Sequence, residues 1–292
     1  MPELPEVHAL AADLRGRLGG ETIDRLELVS FAALKTFDPP VSALEGGEIL
    51  DVTRHGKFLD LVIRDTERQS LHLVMHLARA GWLRWRTAAP GPRTRPGAGP
   101  LAARLVMRGD GHGIDATEAG SKKGLAIWLV RDVQDVPGIA RLGPDPLAEE
   151  FDEPAFQRIL ADAGRSQIKG VLRSQSRIAG IGNAYSDEIL HAARMSPFAP
   201  ADMAPDRVAA LYRALQQTLR DAVGRAEGHP ASDLKSEKKS SMRVHGRAGE
   251  PCPVCGDTVR QVIYSDSTLQ YCPTCQTGGK PLADRVLSRL LK

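Results

Sequence analysis

The chain has 292 residues, 42% hydrophobic and 26% charged, with a formal net charge of +3 at pH 7. That length gives room for two domains and a real core. It holds no apolar run near the ~20 residues needed to span a membrane, and charge and proline interrupt its start, unlike a signal peptide; a cytoplasmic protein is expected. The charge is uneven: from 229 to 292, ten Lys/Arg against six Asp/Glu leave +4. A basic end fits a polyanionic partner or a solvated surface. Aromatics at 4% argue against broad base-stacking platforms.

The chain opens Met1-Pro2-Glu3-Leu4-Pro5-Glu6-Val7. Removal of Met1 would leave Pro2 with a secondary amine that is also the α-amino group. Such an amine titrates near pH 8, so part of it is nucleophilic at pH 7. Its attack on an aldehyde carbon gives an iminium, and Glu3 beside it can move protons. The competing reading is structural: Pro5 fills the first turn of a helix whose N-terminus Glu3 and Glu6 favour. Val7, Leu10, Ala11, Leu14 and Leu18 recur at helical spacing and predict a helix over 5–18, ended by Gly19-Gly20. Strands are expected at 22–28, 49–53, 57–63, 71–75, 81–86, 102–107 and 126–130, punctuated like an antiparallel β-sandwich. A long exposed loop is expected at 87–100, and 137–150 reads as an interdomain linker.

Beyond it the pattern turns helical, over 156–163, 166–173, 183–194 and 205–226. Residues 229–242 are polar and basic, and expected to be mobile. Cys252-Pro-Val-Cys255 and Cys272-Pro-Thr-Cys275 use all four cysteines, sixteen residues apart. Four thiolates make a closed tetrahedral site for one structural Zn²⁺; two disulfide-like pairs are the alternative. A hairpin over 259–271 is too small to bury a core and would depend on the metal. A short basic helix is expected at 283–291.

In Gln175-Ser-Arg-Ile-Ala-Gly180-Ile-Gly182-Asn183 the glycines allow a tight turn, and Asn183 is a natural N-cap. A helix N-terminus there can receive a phosphate, with Lys169 as a second contact; a packed α-hairpin explains the pattern equally well. Lys57, in Arg54-His55-Gly56-Lys57, reads by itself as a solvated strand lysine.

Taken together, PELPEV, HGK before a strand, Ile-Ala-Gly-Ile-Gly-Asn, Val244-His-Gly-Arg-Ala-Gly-Glu-Pro-Cys252 and the cysteine knuckles occur in an order that resembles the formamidopyrimidine/endonuclease VIII family of DNA glycosylases. The resemblance spans essentially the whole chain. It implies an α+β multidomain protein: an N-terminal helix with an antiparallel β-sandwich (1–136), a linker (137–150), a helix–two-turn–helix domain (151–235), a zinc hairpin (242–280) and a tail (281–292). It implies a monomer acting on damaged DNA, a bifunctional glycosylase and AP lyase. Pro2 would be the nucleophile, Glu3 the proton donor and acceptor, Glu6 a support. Lys57, Lys169 and Asn183 would contact phosphate. Two positions depart from the family. The hairpin-tip arginine is matched by Ser267, beside Asp266, which would repel phosphate. The residues wedged into the gap left by a flipped purine are matched by His76-Leu77-Ala78-Arg79 and Thr117-Glu118-Ala119, leaving Arg79 as the wedge. Poor excision of 8-oxoguanine is therefore expected, and a catalytically weak lesion-binding protein of the same fold is the alternative.

Overall fold

The computed structural model describes residues 1–88, 99–120, 122–264 and 267–283. The first helix, α1 (Leu4–Leu18), begins with Pro5 in its first turn and turns Leu4, Val7, Leu10, Leu14 and Leu18 into the core, each at most 3% exposed. Eight strands follow: β1 (Ile23–Leu28), β2 (Glu48–His55), β3 (Phe58–Arg64), β4 (Ser70–His76), β5 (Gly81–Arg86), β6 (Leu101–Met107), β7 (Gly113–Glu118) and β8 (Ala126–Val130). They form two four-stranded antiparallel sheets, ordered β1-β6-β7-β5 and β2-β3-β4-β8, with a shared core that α1 joins. Strand ends depart from expectation by a residue or two, as helix and strand ends commonly do. Strand β7 was not expected. Its inward residues, Ile114 and Ala116, are too few and too small to give a strong alternating signal beside Asp115 and Thr117.

The chain divides into two compact units, Met1–Leu142 with Ala226–Leu234, and Gly143–Arg225 with Lys235–Lys292. The second is helical: α2 (Glu153–Ala163), α3 (Ile168–Arg173), α4 (Asn183–Ala192), α5 (Pro205–Ala226) and α6 (Leu234–Ser241). A hairpin of β9 (Arg260–Ile263) and β10 (Thr268–Tyr271) and a short α7 (Pro273–Thr277) complete it.

The division between Leu142 and Gly143 falls inside the stretch 137–150 read as a linker. Val136 and Ile139 pack with Val74 and Val130 in the first unit, and Gly143 donates to the Gln175 carbonyl in the second. The expectation of a mobile stretch at 229–242 needs correction: it carries α6, and Ala231 and Leu234 are buried in the sandwich core, with Trp82 Nε1 donating to the Ala231 carbonyl at 2.9 Å. Two apolar side chains in a polar sequence were enough to anchor it. The tail helix expected at 283–291 and most of the loop at 87–100 lie outside the described residues.

Leu234 is therefore a core residue of the first unit despite its distance in sequence. Leu234→Ala should cost that unit about 2–5 kcal/mol, read as faster hydrogen exchange of amides in β4 and β5; unchanged exchange there would refute its anchoring role.

Candidate active site and metal centre

The site begins with the way α1 is started. Glu3 is its N-cap. The Glu3 backbone N–H donates to Glu6 Oε2 at 2.8 Å, and the Glu3 side chain accepts the Glu6 N–H, a reciprocal capping box. Both carboxylates are 2% exposed, at the helix end where positive potential favours anions. Pro2 is buried beside them.

Lys57 is presented by a two-residue turn. His55 pairs with Phe58, and Gly56 takes a φ of 55°, the positive value that the first central residue of such a hairpin turn needs. Helix α1 packs on β2 and β3, and two contacts fix its register: Gly20 N donates to Ile49 O, and Arg15 Nη2 to Val52 O. From Gly20 back to Glu3 the helix covers about 25 Å. From Ile49 forward to Lys57 the strand covers about 26 Å. The two elements run in opposite directions, so Glu3 and Lys57 lie at the same end of the unit. His76 joins them: it pairs with Phe58 across β3 and β4, with ring centroids 4.8 Å apart. Burial, and then the neighbouring Lys57 charge, push its imidazole down to about 4. It is thus a neutral hydrogen-bonding group at pH 7. Sequence reasoning named His76 only as the first residue of the stretch ending in Arg79; its place at the end of a strand opposite the Lys57 turn was the available signal for this role.

Arg79 projects from the turn after β4 and is exposed. That turn is locked by the Gly81 N–H donating to Leu77 O at 2.8 Å; a Cβ at Gly81 would lie 2.1 Å from that oxygen, so no other residue fits. Glu118, aligned above with a wedge position, is 3% exposed, and its Oε1 accepts from the Gly124 and Leu125 N–H groups. It holds a loop, and Thr117 lies within β7.

Behind the Lys57 turn, Asp60 is 1% exposed and accepts from two histidines, His72 Nδ1 at 3.0 Å and His55 Nε2 at 3.2 Å. Burial alone would raise the Asp60 carboxyl, but the hydrogen bonds from His55 and His72 hold it below its usual range. The bond to Asp60 raises His72 against the effect of burial, with Asp132 adding a smaller push.

In the second unit two expected phosphate contacts are otherwise engaged. Lys169 is 5% exposed, and its ammonium donates to Asp187 Oδ1 at 2.6 Å, Ser186 Oγ at 2.8 Å and the Asn183 carbonyl at 3.2 Å. It is an internal tie, because Asp187, which also meets His245 Nδ1 at 2.8 Å, supplies the charge that a phosphate would have supplied. The N-cap of α4 is Gly182, not Asn183. Asn183 Nδ2 instead donates to the Thr268 carbonyl at 2.6 Å, fastening α4 to β10. Ser267 is half-buried in the turn between β9 and β10, its carbonyl accepting from Tyr264 N at 2.8 Å; Asp266 lies outside the described residues. Glu188, which sequence reasoning missed, accepts the backbone N–H groups of Arg243, Val244 and His245 at 2.8–2.9 Å and so seats the segment leading to the cysteines.

The sulfur atoms of Cys252, Cys255, Cys272 and Cys275 all lie within 4.8 Å of one another, close enough to hold one metal ion. Burial pushes the Cys272 thiol up and the Cys275 thiol up to about 11, while the Asp257 backbone draws Cys255 down. A cation is what would make thiolates of all four, so the donor set fits a metal. His191, on α4, brings Nε2 to 3.3 Å from Cys252 Sγ. Burial, with Arg243 and Arg194 nearby, pushes it down to about 4.

Comparison with known proteins places this geometry. Residues 1–115 match the formamidopyrimidine-DNA glycosylase N-terminal domain, and residues 142–232 match the formamidopyrimidine-DNA glycosylase H2TH domain. An uncharacterized formamidopyrimidine-DNA glycosylase-like protein of Mycobacterium tuberculosis is 55% identical over 52% of this chain and 94% of its own length. Formamidopyrimidine-DNA glycosylase of Thermus thermophilus is 34% identical over 96% of this chain and all of its own. The crystal structure of the MutM (Fpg) protein from Thermus thermophilus superposes with a TM-score of 0.77 at 32% identity, over 96% of this chain and 100% of that one. Lactococcus lactis Fpg bound to DNA containing an oxidised pyrimidine gives 0.81 at 25% identity, over 94% of this chain and 100% of that one. Among the described residues no helix is long and apolar enough to cross a membrane.

The Asp60 cluster has a definite pH signature. A raised His72 stabilises the fold fully below its unfolded value of about 6.5, and that contribution is lost as pH rises through the folded value. A lowered Asp60 stabilises it above about 4, and that part is lost as pH falls through the folded value. Asp60→Asn should therefore cost most stability between about pH 4 and 6.5, and should drop the His72 titration measured by NMR. A His72 titration unchanged in Asp60→Asn would disprove the coupling.

Proposed function

The chain belongs to the formamidopyrimidine-DNA glycosylase/endonuclease VIII family, and from that premise we propose that it removes damaged bases from DNA and then cleaves the strand at the abasic site. The observation that carries this reading is the pair of buried carboxylates, Glu3 and Glu6, capping α1 directly after Pro2 and at the end of the unit where Lys57 is presented. With Met1 removed, the Pro2 amine attacks C1′ of the damaged nucleotide, and the base departs with the bonding electrons of the glycosidic bond. Glu3 delivers the proton that ring opening requires, and its backbone tie to Glu6 fixes its direction. The resulting C1′ iminium acidifies the C2′ proton. Loss of that proton expels the 3′ phosphate, and a second elimination expels the 5′ phosphate. Lys57, with neutral His76 at its side, suits a phosphate next to the lesion. Extrusion of the damaged nucleotide precedes all of this.

One zinc ion held by Cys252, Cys255, Cys272 and Cys275 would fix the β9–β10 hairpin, and through the Asn183–Thr268 bond the end of α4 that meets the DNA backbone. The protein acts as a monomer on damaged DNA. The weak or non-catalytic lesion-binding alternative draws on one feature, a serine rather than an arginine at position 267.

Borohydride trapping on abasic DNA tests the nucleophile: a covalent adduct is expected with the wild-type chain and none with Pro2→Gly, and equal trapping by the variant would assign the chemistry to a lysine. The same assay separates substrates. Loss of an arginine–phosphate contact costs about 1.5–3 kcal/mol, roughly tenfold to a hundredfold or more, and falls on base extrusion more than on a pre-formed abasic site. Single-turnover cleavage at abasic sites should thus far exceed excision of 8-oxoguanine opposite cytosine, and Ser267→Arg should raise the second more than the first. Comparable wild-type rates would show the tip contact to be dispensable.

The metal is tested separately. Purified protein should contain about one equivalent of zinc, four thiolates filling one tetrahedral site. Its removal should weaken DNA binding while the sandwich stays folded. Far less zinc, with binding unaffected by chelation, would contradict the assignment.

A further inference from the structure

The second unit carries a concavity of about 1000 Å³ formed by one face of α4 from Tyr185 to its C-terminal end, one face of α5 and residues 241–243. None of the residues discussed for catalysis or phosphate contact lines it. Arg194, Arg213, Arg220 and Arg243 do; all four are exposed, and none forms an ion pair among the described residues. A fifth, Arg225, is paired with Glu237 at 3.2 Å. The two acids of the lining are already occupied. Glu188 accepts three backbone N–H groups, and Asp221 accepts from Gln217 Nε2 at 2.6 Å. Five arginines against two carboxylates leave the lining at +3, equal to the net charge of the entire chain. Charge of one sign gathered in a concave surface concentrates anions there.

The wall chemistry narrows the partner. The remaining polar lining, Gln216, Gln217, Thr218 and Ser241, is neutral; Gln216, Gln217 and Ser241 already donate to the Pro146 carbonyl, Asp221 and the Lys238 carbonyl, so the arginines are the main groups left for an anion. Its apolar lining is made of small or buried side chains, Ala192, Ala193, Ala210, Ala214 and Met242, and none of the large hydrophobic side chains exposed among the described residues lines it. Tyr185 is 1% exposed, and the Tyr212 hydroxyl is spent on the Phe151 carbonyl. An acidic protein segment would look for an apolar pocket for an anchoring side chain; a phosphodiester backbone asks only for cations and neutral donors. Arg213 and Arg220 stand two turns apart on one face of α5, about 10.5 Å. The groove runs along α4 from Tyr185 to Arg194 just past its end, and of its arginines the one nearest α4, Arg194, lies about 15 Å along the helix axis from Asn183.

We propose that this arginine groove binds a second stretch of nucleic-acid phosphate backbone, separate from the strand met at the N-terminal end of α4. The inference rests on the reading that the protein acts on DNA. Its function is sequence-independent grip: it adds affinity for long DNA and leaves the chemistry of the damaged nucleotide untouched.

The test uses the full chain with Arg213→Gln and Arg220→Gln combined, both exposed helix positions. On a long undamaged duplex, the slope of log K against log salt should fall by about 1.8, at 0.9 per lost phosphate contact. Cleavage of an abasic site in a short duplex at saturating protein should stay at the wild-type rate. The combined Arg213→Lys and Arg220→Lys variant keeps the charge and should keep the slope. An unchanged slope in the glutamine variant overturns the proposal and leaves an acidic protein segment as the occupant to examine. Loss of slope in the lysine variant also overturns it, because the effect would then come from altered packing. Absence of abasic-site cleavage in the wild-type chain would instead defeat the enzymatic reading, and the salt slope would still report on the groove.

Discussion

The first unit depends on holding the second residue of the chain still. Chain ends ordinarily fray. Here Leu4 is fully buried, Glu3 and Glu6 exchange backbone and side-chain bonds around it, and α1 is pinned along β2 through Gly20 and Arg15. Each capping bond contributes on the order of 1 kcal/mol, which is modest. Their geometric effect is larger, because a helix registered against a strand at one end is located at the other. The burial of two carboxylates is tolerated because each has a backbone donor and the positive end of a helix. The proposed amine nucleophile, with a proton shuttle beside it, would need such a rigid, nearly dry setting.

In the second unit the corresponding element is α4. It is held at its start by Lys169 and by Asn183 bonded to β10, in its middle by Asp187 and Glu188, and at its end by His191 against Cys252. Removing one partner of a buried ion pair such as Lys169–Asp187 leaves an uncompensated charge and costs about 3–5 kcal/mol. The cysteine cluster and the helix are therefore one mechanical piece. Whatever fixes the four sulfurs also fixes the direction in which the N-terminal end of α4 points.

Much of this was legible in the sequence where the signal is local. The period of Val7, Leu10, Leu14 and Leu18 gave α1, the two Cys-x2-Cys knuckles gave the metal cluster, and His55-Gly56-Lys57 gave a turn entering a strand. What escaped depends on partners distant in sequence. Lys169 reads as a phosphate contact until Asp187, eighteen residues on, is seen to neutralise it. Asp60 in a strand gives no hint that two histidines will converge on it. Leu234 sits in a polar run that composition assigns to solvent, and only the Trp82 indole reaching Ala231 explains why the run is ordered.

The distribution of cations gives the last step. Lys169 is buried and matched by Asp187, and position 267 carries a hydroxyl. At the opposite end of α4, four exposed guanidiniums have no acidic partner among the described residues. Such clustering is unfavourable in isolation, since like charges repel and each lost ion pair is forgone. It persists at no cost to the core, because every one of these side chains emerges from helix ends or the outer face of α5 rather than from packed positions. Under the proposed reading, the surplus on α5 would add affinity for the DNA backbone without acting on lesion choice.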